Sequence, residues 1–220
     1  MSTVPVITVD GPGGAGKGTL CRGLANALGW HYLDSGALYR LLGYEAAQKG
    51  VPAEQAAGLA EDMQILFSLD DNEVFLNGEP VAQAIRNETV GELASQVAVR
   101  ADVRQALLEK QRQFARAPGL IADGRDMGTV VFPEAPLKVF LDASPEIRAR
   151  RREKELLDAG KSVIFEKIFR DICERDQRDR NRSEAPLRPA QDAQVLDSSG
   201  QNAAEVLEQV LQWARQRGLS

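Results

Sequence analysis

The sequence predicts an α/β fold in three layers, a central parallel sheet covered by helices on both faces. Three observations predict it. Five short apolar runs each close on an aspartate: Val6-Ile7-Thr8-Val9-Asp10, Tyr32-Leu33-Asp34, Leu120-Ile121-Ala122-Asp123, Val139-Phe140-Leu141-Asp142 and Val195-Leu196-Asp197. Most of these runs alternate with helical patterns, the order that builds a parallel sheet. A glycine-rich loop joins the first run to the first helix. Buried parallel strands read as near-continuous apolar runs, and ligands bind outside their carboxyl ends, so the aspartates are expected to rim one site.

The elements follow in order. The first helix runs from about Lys17 to Leu28, with apolar residues at Leu20, Leu24 and Leu28 and a stop at Gly29. Between Asp34 and Leu120 lies more chain than a crossover needs, so an inserted subdomain is expected beside the site, at about residues 35–100. Within it, Asn77-Gly78 signals a tight hairpin. A helix is expected from Asp102 as N-cap, with Gln105 after it, to before Pro118-Gly119. Another starts at Ser144-Pro145-Glu146, with serine as cap and proline in the first turn, and ends near Gly160. A helix beginning near Ile164 is expected to bury Phe165, Ile168, Phe169 and Ile172. The last helix presents Val206, Leu207, Val210 and Leu211 to the core.

At 220 residues the chain fits one domain. Apolar residues make up 43% and charged residues 27%, ordinary globular values. A net charge of -5 argues against a protein that neutralises a nucleic-acid polymer, while a small anionic ligand remains open. Arginine outnumbers lysine 20 to 7, which favours forked contacts to phosphate. Cys21 and Cys173 read as small core residues, and His31 as structural; such a set cannot make a zinc site. No signal peptide or membrane-spanning run is evident, so a cytoplasmic protein without membrane contact is expected.

Gly11-Pro12-Gly13-Gly14-Ala15-Gly16-Lys17-Gly18-Thr19 follows a predicted strand and opens a predicted helix, the context of a phosphate-binding P-loop. Its glycines let backbone N–H groups curl around phosphates, and the helix N-terminus adds partial positive charge. Lys17 supplies a mobile full charge. In the common form of the motif Ser or Thr follows the lysine directly; here Gly18 intervenes before Thr19, a Gly-Lys-Gly-Thr variant that resembles nucleoside monophosphate kinases. That resemblance places Thr19 near the nucleotide phosphates and Mg²⁺.

Continuing the apolar stripe of the helix at Ile164 brings in Arg175, Asp179 and Arg182. Inward arginine carries a large desolvation cost unless a carboxylate or phosphate meets it, so a phosphorylated ligand explains this face. Their neighbours Glu174-Arg178 and Asp176-Arg180 read as solvated ion pairs at i,i+4. Residues 148–154 are densely basic and have two readings that spacing does not separate. They form a solvated face, or a mobile lid, at about residues 148–165, over donor phosphates.

Taken together, Asp10-Gly11-Pro12, the Gly-Lys-Gly-Thr turn, the segments 33–40 and 121–133, Ala94-Ser95-Gln96-Val97 and the arginine-rich run 175–182 resemble the bacterial cytidylate kinase family nearly end to end. The resemblance implies a P-loop NTPase-type kinase core with a monophosphate-binding insertion and a lid, and transfer of phosphate from ATP, with Mg²⁺, to CMP or dCMP. By motif, Arg40, Arg125 and Arg182 become clamps on the CMP phosphate, and Ser95, Arg104 and Asp126 contacts to cytosine. Arg175 and Asp179 become sugar-side contacts and Ser35 lines the same pocket, while Asp34 and Asp123 order water around Mg²⁺. Lys17, Arg125 and Arg182 would carry the catalysis. Without the resemblance, Ser35 reads as an ordinary loop residue, and Ser95 and Arg104 as helix-surface residues. Asp126 also has a plainer reading, a loop carboxylate paired with Arg125.

A non-catalytic nucleotide switch is the rival class, and no Asn/Thr-Lys-x-Asp string is present to read guanine. Kinases acting on UMP, AMP or a small alcohol are the nearer alternatives. A monomer is expected.

Overall fold

A computed structural model describes residues 4–69 and 73–219. Five strands, β1 (Val6–Asp10), β2 (His31–Asp34), β6 (Leu120–Gly124), β7 (Leu137–Asp142) and β8 (Gln194–Asp197), form one sheet in the order β2-β6-β1-β7-β8. Every pairing is parallel. The register brings Asp34 beside Asp123 and Asp142 beside Asp197, so the expected carboxylate rim exists.

Side chains alternate across the sheet with the period of two that strands impose. Val6, Leu120 and Ala122 join one core, while Ile7, Val9, Ile121, Val139 and Leu141 join the other. The second core is closed by α1 (Lys17–Leu28) and α8 (Ala203–Gln216), through Leu20, Leu24, Val206 and Val210. The first is closed by α2 (Ser35–Gln48), α3 (Ala82–Ile85), α4 (Glu88–Ala98) and α5 (Ala101–Arg112). Three layers result, as the alternating pattern predicts. The insertion between β2 and β6 has no core of its own: Leu38, Leu42, Met63, Leu76 and Leu107 pack in the same cluster as Leu33, Ala122 and Met127.

A small antiparallel sheet in the insertion holds β3 (Ile65–Phe67), β4 (Val74–Leu76) and β5 (Glu79–Pro80). Asn77 and Gly78 turn the hairpin with φ of 53° and 89°, the positive values that select this dipeptide. Asp102 departs from expectation. It lies in the first turn of α5, behind the N-cap position of Arg100, because that guanidinium holds the carboxylate at 2.9 Å.

Helix α6 (Pro145–Asp158) begins at Ser144, whose hydroxyl accepts from Ile147 N–H, and its C-terminus meets Gly160 at φ 73°. Helix α7 (Phe165–Arg180) corrects the expected apolar face. Phe165, Ile168 and Ile172 are half-buried and Phe169 is exposed, because α7 packs chiefly on α6 at the rim of the cleft rather than on the sheet. The single buried residue of α7 is Asp176. Cys21 lies in the core and Cys173 is half-buried. His31 Nε2 meets the Ala117 carbonyl at 3.0 Å, a structural contact.

Candidate active site

The phosphate loop leaves β1 at Gly11, whose φ of 151° and closeness to β7 exclude a side chain: a Cβ there would lie 2.0 Å from the Leu141 carbonyl oxygen. Lys17, 6% exposed, donates to the Pro12 carbonyl at 3.1 Å and stands 3.8 Å from Asp123. Burial, followed by the positive charge of Arg125, pulls the Lys17 ammonium below the ordinary lysine range, while Asp123 opposes. Burial pushes the Asp123 carboxyl upward against the pull of Lys17.

A cavity of about 640 Å³ opens over Gly14, Ala15, Gly16, Lys17, Gly18 and Thr19. Arg151, Lys154, Ser198 and Asn202 face this loop from across the cavity. Gly11, Pro12 and Gly13 are not part of its wall; they form the base of the loop. The Gly13 carbonyl accepts from Arg148 at 3.0 Å, and a Cβ at Gly13 would lie 3.4 Å from Arg125 and 3.6 Å from Arg175. Gly13 therefore stands between this cavity and the arginines of a second one.

The basic run divides by helix face. Arg150 and Arg152 make exposed pairs with Glu146 and Glu155, the solvated arrangement, and Lys154 does both, pairing with Asp158 while lining the cavity. Arg148 and Arg151 turn inward. Arg151 bonds the Ala15 and Ser198 carbonyls, and Arg148, 1% exposed, bonds the Ala143 and Gly13 carbonyls and forks onto Asp176. Asp176 thus corrects the expected i,i+4 pair with Arg180, since a buried guanidinium offers two aligned donors where Arg180 offers a solvated one. Glu174 and Arg178 form no side-chain pair either: Arg178 Nε reaches the Glu174 backbone carbonyl at 3.4 Å.

The second cavity, about 420 Å³, is lined by every residue that the resemblance assigned to the acceptor: Ser35, Arg40, Ser95, Arg104, Arg125, Asp126, Arg175, Asp179 and Arg182. Tyr39, Val99 and Asn181 line it as well and were not singled out in the sequence, and so does Arg178, which was read there as a solvated partner of Glu174. For Arg178 a signal existed, since it lies one turn beyond Arg175. Ser35 opens α2 where Asp34 caps Ala37 N–H, and its hydroxyl donates to Gln111 at 2.8 Å. Ser95 donates to the Gly91 carbonyl at 3.0 Å.

Charge is arranged unevenly in this cavity. Asp126 pairs with Arg104 rather than with its neighbour Arg125, because α5 delivers a guanidinium into the cavity over the Tyr39 ring. Arg125 instead reaches Asp179 at 3.0 Å. Burial pushes the Asp179 carboxyl up, but Arg125, Arg175 and Arg182 more than offset that and hold it below the usual range. Arg40, Arg175 and Arg182 make no ion pair among the described residues. Arg175 is exposed at the mouth of the cavity, yet the protein packed around its guanidinium, and then the neighbouring charge of Arg125, lower it from the ordinary arginine range. Burial likewise lowers Arg40 and Arg182. Arg182 donates Nη2 to the Ala185 carbonyl, and its buried Nε has no partner. Cations crowded this way, with a donor unfilled, suit a multiply charged oxyanion.

Asp10 was legible only as a rim carboxylate. The structure buries it, and it accepts there from the Met127 and Gly128 amides at 2.8 Å each. Those residues open a turn, 127–131, wound with i→i+5 bonds, a form that recurs at functional sites.

Compared with known proteins, residues 7–216 match the profile of a family described as Cytidylate kinase. The chain is 53% identical over 221 residues to a cytidylate kinase of Klebsiella pneumoniae (strain 342), covering 98% of this chain and 97% of that protein. It is 56% identical over 217 residues to one of Sodalis glossinidius, covering 96% of each. With one of Aeromonas hydrophila subsp. hydrophila the identity is 55% over 218 residues, covering 97% of this chain and 95% of the relative.

Proposed function

The chain belongs to the cytidylate kinase family, and from that premise we propose that it transfers the γ-phosphoryl group of ATP to CMP, and to dCMP, in one in-line step. The supporting observation is the cavity of about 420 Å³ itself, where an Asp126–Arg104 pair faces Arg40, Arg175 and Arg182, none of which makes an ion pair among the described residues, and where Arg125 and Arg175 lie against Gly13 of the phosphate loop.

Cytosine donates from its N4 amino group, so the Asp126 carboxylate accepts there, with Arg104 and Ser95 beside the ring. Uracil presents an O4 acceptor to the same carboxylate and is repelled. Arg175 and Asp179 stand at the sugar, Ser35 beside them. Arg40, Arg125 and Arg182 clamp the monophosphate. A phosphate monoester is already largely ionised near neutral pH and needs no general base. Its oxygen attacks the γ-phosphorus as the bond to the β-phosphate oxygen breaks and ADP leaves. Lys17 follows the transferring group and, with Arg125 and Arg182, stabilises charge on its oxygens. The rest of the loop, Gly11 to Thr19, cradles ATP.

Mg²⁺ accompanies ATP in this reading. The exposed Thr19 hydroxyl would hold it directly, with Asp34 and Asp123 ordering its water; hydroxyl, water and phosphate oxygens are the hard donors this ion takes. The ion supplies charge neutralisation at the β- and γ-phosphates.

Residues 35–100 serve as the monophosphate-binding region and 148–165 as a lid within a single domain, 1–220, acting as a cytoplasmic monomer on small nucleotides. Among the described residues no helix is long and apolar enough to cross a membrane. Coupled ADP release with CMP, dCMP, UMP and AMP in turn tests the proposal. CMP and dCMP should drive turnover with UMP at least about tenfold weaker in kcat/KM; acceptor-independent ADP release, or equal use of all bases, refutes it.

A further inference from the structure

Asp10 ends β1 and is 4% exposed. Both of its oxygens are committed to the chain segment that carries the acceptor site: Oδ1 accepts from Met127 N–H and Oδ2 from Gly128 N–H, each at 2.8 Å. These amides follow Arg125 and Asp126 directly. At the other end of the same turn the Asp126 carbonyl accepts from Val130 and Val131, at 2.9 and 3.2 Å. Asp126 is thus held between a wound turn and a buried carboxylate. The seat leaves no slack, for a Cβ at Gly128 would meet Thr8 Oγ1 at 2.9 Å and Asp10 Oδ2 at 3.3 Å. Burial pushes the Asp10 carboxyl up to about 7 although both amides pull it down. When ionised, Asp10 gives both amides charge-assisted bonds, stronger than a neutral acceptor would give.

We propose that Asp10 is a positioning residue for base selection: it fixes the turn at 127–131 so that Asp126 and Arg104 keep the spacing that separates cytosine from uracil. The inference rests on the reading of Asp126 as the acceptor for cytosine N4. Since the phosphate loop begins at the next residue, Asp10 also ties the base-reading turn to the donor side of the site.

Asp10→Asn keeps the volume but offers one oxygen and one amino group, so one of the two N–H groups faces another donor. The turn must shift, and Asp126 with it. Gly128→Ala displaces the same turn by sterics while leaving the Asp10 charge in place, so it separates position from charge. Both variants are compared with wild type and Asp126→Asn for kcat/KM on CMP and UMP and for the KM of ATP, after circular dichroism confirms folding. The CMP over UMP ratio should fall about tenfold in Asp10→Asn and Gly128→Ala, as fractional misplacement of a reading group costs. The KM for ATP should change by less than about threefold, since neither residue lines the cavity over the phosphate loop.

If Asp126→Asn lowers the ratio while Asp10→Asn and Gly128→Ala do not, Asp10 is scaffold only and the inference fails with the base reading intact. If no variant alters the ratio, the base reading fails and the inference with it. A turnover loss shared equally by both bases overturns it as well. Should Asp10→Asn not fold, Gly128→Ala decides alone.

Discussion

Replacing Arg182 by alanine tests the acceptor clamp where the structure gives the most to calculate with. One of its donors, Nη2, is spent on the Ala185 carbonyl, and the buried Nε has no partner. The free Nε and Nη1 can therefore give a phosphate two charge-assisted bonds, each worth about 1.5–3 kcal/mol. Desolvation is already met in the empty site, as the lowered pKa of Arg182 reflects, while Arg40 and Arg125 remain to share the phosphate after truncation. A net loss of about 2–3 kcal/mol follows, or roughly 30- to 150-fold in kcat/KM for CMP. Among the described residues Arg182 makes one hydrogen bond, to Ala185, and no ion pair, so thermal stability should change little. Steady-state kinetics with either substrate varied, together with separate titrations of ATP and CMP, make the comparison. Equal weakening of both substrates, or of neither, would refute the placement of Arg182 at the acceptor.

Lys17→Ala should leave the fold intact and reduce kcat by about 10²-fold or more, as loss of a preorganised electrostatic group does; near-normal turnover would count against its role at the transferring phosphate. Because burial lowers the Lys17 pKa, its charged form is lost as pH rises through that lowered value. The pH profile of kcat/KM for ATP should then descend below the ordinary lysine value of about 10.4, and a limb at or above that value would contradict the burial argument. Asp176→Ala leaves Arg148 buried and uncompensated, which should cost about 3–5 kcal/mol of stability in denaturant unfolding, while Arg148→Met with Asp176→Leu should recover most of it. No loss in Asp176→Ala would mean that water reaches Arg148.

The sheet and the phosphate loop were readable because their signals are local. A parallel strand buried on both faces must be apolar throughout, and Asn77-Gly78 can hardly do anything but turn. Arg175 and Asp179 were readable because helical spacing puts them on one face of α7, whereas Arg182 lies beyond the end of that helix at Arg180 and lines the same cavity from the segment that follows. Partner choice was not readable. Asp126 prefers Arg104 from α5 over its neighbour, and Asp176 prefers Arg148 from α6 over Arg180, since burial favours a remote guanidinium that packing delivers. The face that α6 turns to the phosphate loop was equally hidden, because Ile147, Leu156 and Leu157 are too few to set its phase, so Arg148 and Arg151 could not be told from Arg150 and Arg152. Ser35, Ser95 and Arg104 were found only through resemblance: nothing local marks a serine hydroxyl that will line a cavity. Asp10 was missed in a different way, its position correct at the strand end but its direction, down onto the Met127 and Gly128 amides, set by a turn more than a hundred residues away.

The central claim is direct transfer across Gly13 from a donor to an acceptor bound in neighbouring cavities, and stereochemistry tests it most directly. With ATP carrying an isotopically chiral γ-thiophosphate and CMP as acceptor, the account predicts that the label appears in the β-position of CDP with inverted configuration at phosphorus. Retention of configuration, or label accumulating on the protein or in free thiophosphate, would contradict a single in-line step between the two sites.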